Sequence, residues 1–284
     1  MSKLIPILGT KNCHSRDENI EFFEENHKYE ILNDKNHKYT SVTTWNHSHF
    51  PKFDSDKIIE NIMKGKKWNE THKYWGKTKE EIKALWKQNG DSVSSAGTDL
   101  HFHIECFMNN EKMSTINYNH SDLYNYYIAN RTLYPNTSIE WNYFIQFVQD
   151  HPTLKPYRTE WIVYDEEVKL AGSIDMVYEN DDGTLSIYDW KRSKDIKRVN
   201  EWNKYAITPC ICEMPDSNFW HYALQLNTYK YILEKHYNKT IKELFLVRLH
   251  PDAEEKNYEL IKLPDLSKQI KLLFQELYLQ KNNI

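Results

Sequence analysis

Two aspartates and a lysine lie at the ends of neighbouring strand patterns, where their side chains could act together. The apolar run 168–175 ends on Asp175, and the run 185–191 ends on Asp189-Trp190-Lys191. The intervening segment 180–183 reads Asn-Asp-Asp-Gly, which is typical of a tight turn because Asp and Gly tolerate positive φ. Carboxylate oxygens suit a hard cation such as Mg²⁺, and a neighbouring amine suits an anionic transition state. The set therefore indicates phosphodiester chemistry.

An acidic residue two positions before a lysine is not by itself a specific signal, because 27% of the residues are charged. The five copies of this tripeptide begin at Glu81, Glu167, Asp189, Asp195 and Glu254. Only the copy at Asp189 ends an apolar strand pattern and has an acidic partner at the end of the preceding strand. The position in the strand pattern, rather than the tripeptide, predicts the site.

Charge and cysteine usage limit the class of protein. The net charge of the 284-residue chain is −4, so a nucleic-acid enzyme would need its positive charge concentrated locally. The four cysteines do not form a disulfide framework and indicate free thiols in a reducing compartment. The apolar run 4–8 is too short for a signal-peptide core, and no window approaches a membrane span. We expect a soluble, intracellular protein, in the cytoplasm or, if viral, in the host cell.

The order of predicted elements indicates an α/β fold. Short strands are expected within 20–45. Helices are expected over 54–88, from a cap at 94–95 to 108, and over 119–149, 217–236 and 266–281. Strands are expected over 159–164, 168–178, 184–190 and 244–249. This order predicts a mixed central sheet flanked by helices. Scarce glycine and the lack of a linker favour one continuous globular unit, with a mainly helical accessory region over 1–95 and a core over 96–284.

A possible metal ligand lies in the segment Ala96–Glu105. Gly97 would let a helix approach a neighbour closely, and His101 and Glu105 would share one helix face. A histidine on that face could bind a metal. The alternative is a polar stripe on a surface helix. His101 and His103 point to different faces, so together they make a poor zinc pair.

A further polar pair lies in the predicted helix 217–236. Gln225 and Tyr229 are four residues apart and would lie on one face, where an amide and a phenol could orient active-site groups or contact phosphate. The alternative is that this helix packs its apolar face on the sheet, with Gln225 at the edge.

Four motifs now follow one another in a single order, and together they are more specific than any one of them. They are Gly-Thr-x-x-His, Gly-x-x-Asp, Asp-x-Lys and Gln-x-x-x-Tyr. This order and spacing, over about 96–250, resemble the RecB-like branch of the PD-(D/E)XK nuclease superfamily. The segment 40–44 resembles the entry to mitochondrial genome-maintenance exonucleases and related viral and phage nucleases. The resemblance implies a restriction-endonuclease-like mixed central sheet.

The resemblance also implies a metal site. His101 and Asp175 would bind Mg²⁺ or Mn²⁺, as one or two ions. Asp189 would be the second carboxylate, and the carbonyl oxygen of Trp190 would be a further ligand. Lys191 would hold the attacking water or stabilise the pentavalent phosphate.

Three more positions receive a role from the same resemblance. Glu160, on the strand before the hairpin, would fill the auxiliary acidic position, although an isolated strand acid is as readily a solvated edge residue. Gln225 and Tyr229 would complete the last motif and steady the substrate or the active site.

An iron–sulfur cluster is not expected. Some RecB-like relatives hold one on four cysteines, one upstream of the core and three grouped near its end. Here Cys210 and Cys212 fall between the lysine and glutamine motifs, no cysteine follows residue 212, and Cys106 lies within the helix that would carry the metal ligand.

DNA contacts are expected directly after the catalytic strand. The segment 191–198 is densely basic. The alternative is a solvated loop, but the position beside the metal site favours a phosphate-binding role, because phosphate contacts are chiefly cationic. The candidate contacts are Arg192, Lys194, Lys197 and Arg198, with Thr98 from the upstream motif. Aromatic residues interleaved with lysines over 64–77 suit a single strand, although packing of Trp68 and Trp75 into the accessory core is an equal alternative.

These observations predict a divalent-metal-dependent DNA nuclease, acting as an exonuclease on single-stranded DNA or DNA ends. The alternatives are a PD-(D/E)XK endonuclease and a nucleic-acid-binding module that does not cleave. A zinc hydrolase lacks a paired ligand motif such as His-Glu-x-x-His. The sequence identifies neither a partner such as a helicase nor a pathway in repair or recombination.

Overall fold

The structure is a computed structural model, and it describes residues 7–282. Residues 4–6 of the apolar run noted above lie outside the described residues. The helices are α1 (Ile7–Lys11), α2 (Val42–Ser48), α3 (Ser55–Lys64), α4 (Lys79–Met108), α5 (His120–Ala129), α6 (Ile139–Asp150), α7 (Asn218–His236) and α8 (Ser267–Lys281). The strands are β1 (Ile20–Phe23), β2 (Lys28–Ile31), β3 (Thr40–Ser41), β4 (Lys155–Asp165), β5 (Leu170–Glu179), β6 (Leu185–Lys191), β7 (Ile241–Arg248) and β8 (Glu259–Lys262).

A six-stranded mixed sheet organises the fold. β5 pairs antiparallel with β4 and with β6, and β6 pairs parallel with β7. β8 adds antiparallel to β7, and β3 runs parallel to the first two residues of β5. β1 and β2 form a separate hairpin. The predicted α/β class with a mixed central sheet flanked by helices is confirmed.

A gap along one edge of β5 makes room for a site. Leu170 and Ala171 pair with β3 on this edge, and the ladder to β6 begins only at Met176. Residues 172–174 pair with β4 on the opposite edge. β6 therefore leaves β5 at the point where Asp175 and Asp189 would otherwise face each other. We call this gap the notch.

Helices cover both faces of the sheet. Helices α2, α7 and α8 pack on one face, and α4, α5 and α6 pack on the other. Successive side chains of β6 alternate between the faces. Ile187 belongs to the core on the α7 side, and Tyr188 and Trp190 belong to the core on the α4 side. The alternation places Asp189 and Lys191 on the α7 side.

The helix α4 begins earlier than the sequence analysis predicts. Thr78 caps it, because its hydroxyl accepts from the Glu81 N–H while the Glu81 carboxylate accepts from the Thr78 N–H. This reciprocal capping satisfies the first amides of the helix and starts it at Lys79. The predicted cap at 94–95 is therefore wrong, since both serines lie inside the helix. The predicted domain boundary at residue 95 also falls inside α4.

The predicted helix over 119–149 is two helices. α5 ends at Ala129, and α6 begins after Ser138, whose side chain accepts from the Trp141 N–H. Pro135 lies between them and cannot donate a helical hydrogen bond. β8 was not predicted, because four residues at the edge of a sheet carry little pattern. Across residues 7–282, the helices lack the combination of length and apolarity that crossing a membrane requires.

Candidate active site

Glu160 and Asp175 face each other across β4 and β5. The pairs Thr159–Met176 and Trp161–Ile174 flank them and fix this register. The φ of Glu160 is 43°, a left-handed conformation that costs a non-glycine residue about 1–2 kcal/mol. The Ser173 hydroxyl donates to Glu160 Oε2 at 2.8 Å. The strained backbone and this hydrogen bond hold the carboxylate in the notch.

His101 reaches the same place from α4. Its Nε2 lies 2.9 Å from the carbonyl oxygen of Trp190, and because a carbonyl only accepts, Nε2 carries the proton. In a neutral imidazole, Nδ1 then presents a lone pair. Nδ1 lies 3.5 Å from Asp175 Oδ2 and 4.0 Å from Glu160 Oε1. A lone pair and two carboxylate oxygens facing one another suit a positive charge between them.

The three ligand atoms are compact enough for one metal ion. The candidate ligand atoms of His101, Glu160 and Asp175 all lie within 4.8 Å of one another. Two carboxylates and an imidazole suit Mn²⁺, and the carboxylates suit Mg²⁺. The residues present therefore fit the divalent cation that the motif order implies.

The carboxylates repel one another when no cation is bound. Burial and the charge of Asp175 raise the pKa of Glu160 to about 8. Burial and the same neighbour raise the pKa of Asp189 to about 6, although Lys191 acts in the opposite direction. A divalent cation among these groups would favour their charged forms. The electrostatics therefore agree with the ligand geometry.

Asp189 pairs with the catalytic lysine candidate. Lys191 Nζ lies 2.6 Å from Asp189 Oδ2 and 4.6 Å from the centre of the Tyr222 ring on α7. Burial lowers the pKa of Lys191, but the carboxylates of Asp189 and Asp175 outweigh it and keep the pKa above its usual value. Lys191 is therefore a fixed positive charge. Glu160, rather than Asp189, completes the compact trio of ligand atoms.

Backbone atoms of Trp190 connect the two sides of the notch. Its N–H donates to Asp175 Oδ2 at 3.0 Å, so the side chain of Asp175 takes the place of a backbone partner where β6 leaves β5. Its carbonyl oxygen, which the motif comparison would make a metal ligand, accepts from His101 Nε2. In this arrangement the carbonyl orients the histidine.

Gly172 and Tyr229 form a close-packed pair beneath the site. A Cβ on Gly172 would lie 2.8 Å from both Cε1 and the hydroxyl oxygen of Tyr229, so only glycine fits. Tyr229 is 3% exposed, and its hydroxyl accepts from the Gln225 amide at 3.4 Å. The pair sets the distance between β5 and α7 three residues before Asp175. By contrast, a Cβ at Gly97 would meet no described atom beyond its own stretch of helix within 4 Å, so the close approach expected at Gly97 is wrong.

Arg192 already has a partner in the structure. Its Nε lies 2.6 Å from Glu140 Oε1, and both side chains are largely buried. Lys194 is exposed and forms no ion pair with the described residues. Thr98 is also exposed, and its hydroxyl donates to the Ser94 carbonyl within α4.

The two remaining basic candidates are exposed. Lys197 pairs with Glu201 at 2.6 Å. The guanidinium of Arg198 lies 4.1 Å from the centre of the Phe219 ring. Both side chains reach solvent from the segment that follows Lys191.

Three residues that were not predicted also contribute to the site: Ser173, Tyr222 and Glu140. Ser173 lies inside the Gly-x-x-Asp motif, and Tyr222 precedes Gln225 by three residues on one helix face, so both could have been found. No local signal marks Glu140, because its link to Arg192 depends on the packing of α6.

Comparisons with known proteins point to a nuclease family. Residues 111–284 match the family model of the PD-(D/E)XK nuclease superfamily. The matched segment begins after His101 and includes both strands of the hairpin. Among solved structures, the chain is similar to a "Putative exonuclease" from Eubacterium rectale, with 13% identity and a TM-score of 0.40. That similarity covers 93% of this chain and 85% of the other. A comparison with curated proteins yields no match.

Proposed function

Because the chain belongs to the PD-(D/E)XK nuclease superfamily, we propose that its notch is the active site of a divalent-metal-dependent deoxyribonuclease. The enzyme hydrolyses phosphodiester bonds and acts as an exonuclease on single-stranded DNA or DNA ends. The observation that carries this proposal is the compact trio of His101, Glu160 and Asp175 beside the charged amine of Lys191. The exonuclease mode rests on the motif resemblance described above.

The trio would hold the cation through His101 Nδ1 and the two carboxylates. When bound, Mg²⁺ or Mn²⁺ makes water more acidic and withdraws negative charge from the phosphate. His101 keeps its orientation through the Trp190 carbonyl, and Asp175 keeps its orientation through the Trp190 N–H. These two bonds set the ligands before substrate arrives, which lowers the reorganisation needed for the reaction.

Lys191 supplies the second positive charge. Because neighbouring carboxylates keep its pKa high, it retains its proton and acts as a donor to a phosphate oxygen or to the attacking water. Asp189 holds the ammonium in place at 2.6 Å. Gln225 and Tyr229 act at a distance, by fixing α7 against β5.

Cleavage of end-labelled and circular DNA, single-stranded and duplex, tests the proposal. Wild-type protein should degrade linear DNA in Mg²⁺ or Mn²⁺ and not in chelator. Lys191→Ala and Asp189→Ala should remain folded and lose cleavage by at least about 10²-fold, as removal of a transition-state donor does. Lys155→Ala, at the far end of β4, is the matched lysine control. Wild-type rates in Lys191→Ala would refute the assigned roles, and cutting of circles would replace exonuclease by endonuclease.

A further inference from the structure

The segment 192–217, which follows the catalytic strand, exposes large apolar side chains. Trp202 is 81% exposed, Ile207 63%, Val199 67% and Tyr205 45%. A tryptophan ring offers about 150–250 Å² for burial, so leaving it in water gives up a large stabilisation. Exposed aromatic rings of this kind are typical of surfaces that bind a partner.

This segment is held firmly, so the exposure is built into the fold. The Asn200 side chain donates to the Asp216 carbonyl at 2.5 Å, and the Lys204 carbonyl accepts from the Asp216 N–H at 2.9 Å. The Trp202 N–H donates to the Asn200 side chain at 2.8 Å. Trp202 therefore sits on a backbone with fixed hydrogen bonds.

The segment connects two elements that carry side chains at the catalytic lysine. It leaves β6 directly after Lys191, and it leads into α7, whose Tyr222 ring faces the Lys191 amine. The Trp220 indole N–H donates to the Arg198 carbonyl at 3.0 Å, which folds the first part of the segment back onto α7. Trp202 follows Lys191 by eleven positions, so the two lie at most about 40 Å apart. A bound strand several nucleotides long can extend from the notch to the ring.

The segment carries exposed charges of both signs, and three of its cations are available to a polyanion. Lys194, Arg198 and Lys204 are exposed and form no ion pair with other residues in the described range 7–282. They lie on both sides of Trp202 in the sequence. Aromatic rings interleaved with unpaired cations are the combination that binds single strands, because bases stack while cations contact phosphates.

We propose that Trp202 and Tyr205 stack on unpaired bases of the strand that enters the notch, so that the enzyme prefers single-stranded DNA. This inference rests on the proposed function and adds the residues that select the substrate. Duplex DNA keeps its bases stacked on one another, so it offers these rings no free base face. The segment therefore selects strand form rather than sequence.

Binding of a labelled 20-nucleotide oligo(dT) and of a hairpin-closed 20-base-pair duplex tests this inference. Anisotropy is measured in chelator, so that the probes stay intact. Trp202→Ala should weaken oligo(dT) binding by about 5- to 150-fold and change duplex binding less than about twofold. Trp202→Phe should retain most of the affinity, because it keeps a ring. Tyr205→Ala should weaken oligo(dT) binding, whereas Tyr278→Ala, a similarly exposed tyrosine on α8 (43%), should not.

Three results would overturn the inference. Unchanged oligo(dT) binding in Trp202→Ala would show that the ring does not contact bases. Equal losses for oligo(dT) and duplex would show a backbone contact instead. A shift of oligomeric state in Trp202→Ala with unchanged DNA binding would identify the surface as a protein contact, which also overturns it.

The inference and the proposed function can fail separately. Hydrolysis of thymidine 5′-(p-nitrophenyl phosphate), which is too short to extend along the segment, should be unaffected by Trp202→Ala. If wild-type protein cleaves no substrate but Trp202→Ala loses oligo(dT) binding, the proposed function fails and the stacking surface stands. If wild-type protein cleaves and Trp202→Ala binds normally, only the stacking surface fails.

Discussion

Replacement of Gly172 by alanine tests how the motif glycine positions the site. The new methyl group would lie 2.8 Å from two atoms of Tyr229, whereas ordinary contacts lie at 3.4–4 Å. Tyr229 is buried and cannot move to solvent, so β5 or α7 must shift. Overpacking of this kind costs about 1–3 kcal/mol of unfolding free energy. Because Asp175 follows three residues later, a shift of about 1 Å would also lower cleavage by about 10²-fold.

Urea denaturation followed by circular dichroism measures the first effect. Gly90→Ala is the matched control, because a Cβ at Gly90 would meet no described atom beyond its own stretch of helix within 4 Å. Gly90 lies inside α4, where alanine favours the helix, so this substitution should raise the free energy of unfolding by about 0.8–1.0 kcal/mol. Leucine at position 229 lacks the two atoms that the new methyl group would contact. In a Tyr229→Leu background, Gly172→Ala should therefore lower the free energy of unfolding by at least about 1 kcal/mol less than it does in the wild type. An equal cost in both backgrounds, or no cost in the wild type, would refute the packing argument.

Three further predictions concern buried charge and polarity. Burial holds the pKa of the His120 imidazole at about 3, against 6.5 in the unfolded chain. The unfolded chain therefore binds more protons below pH 6.5, and the free energy of unfolding should fall, as pH falls, by up to about 1.4 kcal/mol per pH unit. Urea denaturation at several pH values should show a weaker pH dependence of that free energy for His120→Gln. Asp165→Asn should lower the free energy of unfolding by about 1.5–3 kcal/mol at pH 7, because the buried carboxylate accepts from His236 at 2.7 Å. The same urea denaturation measures this loss. In the wild type, the contribution of the carboxylate should disappear as pH falls below 3.8, because the pKa of Asp165 is lowered from that value in the folded protein. Glu140→Ala should lower the free energy of unfolding by about 3–5 kcal/mol, because it leaves the Arg192 guanidinium buried without its carboxylate. Recovery of that free energy in Glu140→Ala/Arg192→Met would confirm the cause.

Local signals predicted the parts of the fold that depend on neighbouring residues. The hairpin at 180–183 forms as expected: Gly183 has φ 76°, and the Asn180 N–H donates to the Thr184 carbonyl at 2.8 Å. The predicted helix at 217–236 agrees closely with α7. The start of α4 differs from the prediction although Thr78 and Glu81 form a capping pair in the sequence, because the helical spacing over 54–88 runs on past this cap.

The arrangement of the site depends on contacts that are distant in sequence. The positions of Asp189, outside the trio, and of Glu160, within it, follow from β6 leaving β5. Asp189 lies beside Lys191, and Glu160 lies opposite Asp175. The direction of the His101 ring follows from a backbone carbonyl 89 residues away. Residue types and motif order therefore predict which side chains lie close together. Tertiary packing decides which atom of each side chain contacts which neighbour.

Anomalous diffraction from crystals soaked in Mn²⁺ shows whether the trio binds a metal ion. We expect one strong Mn²⁺ peak within ligand distance of His101 Nδ1, Glu160 and Asp175, and no such peak in Asp175→Asn. Asp181→Asn, an exposed aspartate in the hairpin turn, should keep the peak. A notch without Mn²⁺ in crystals of active protein, or a peak bound by other residues, would refute the assignment of the metal site to this trio.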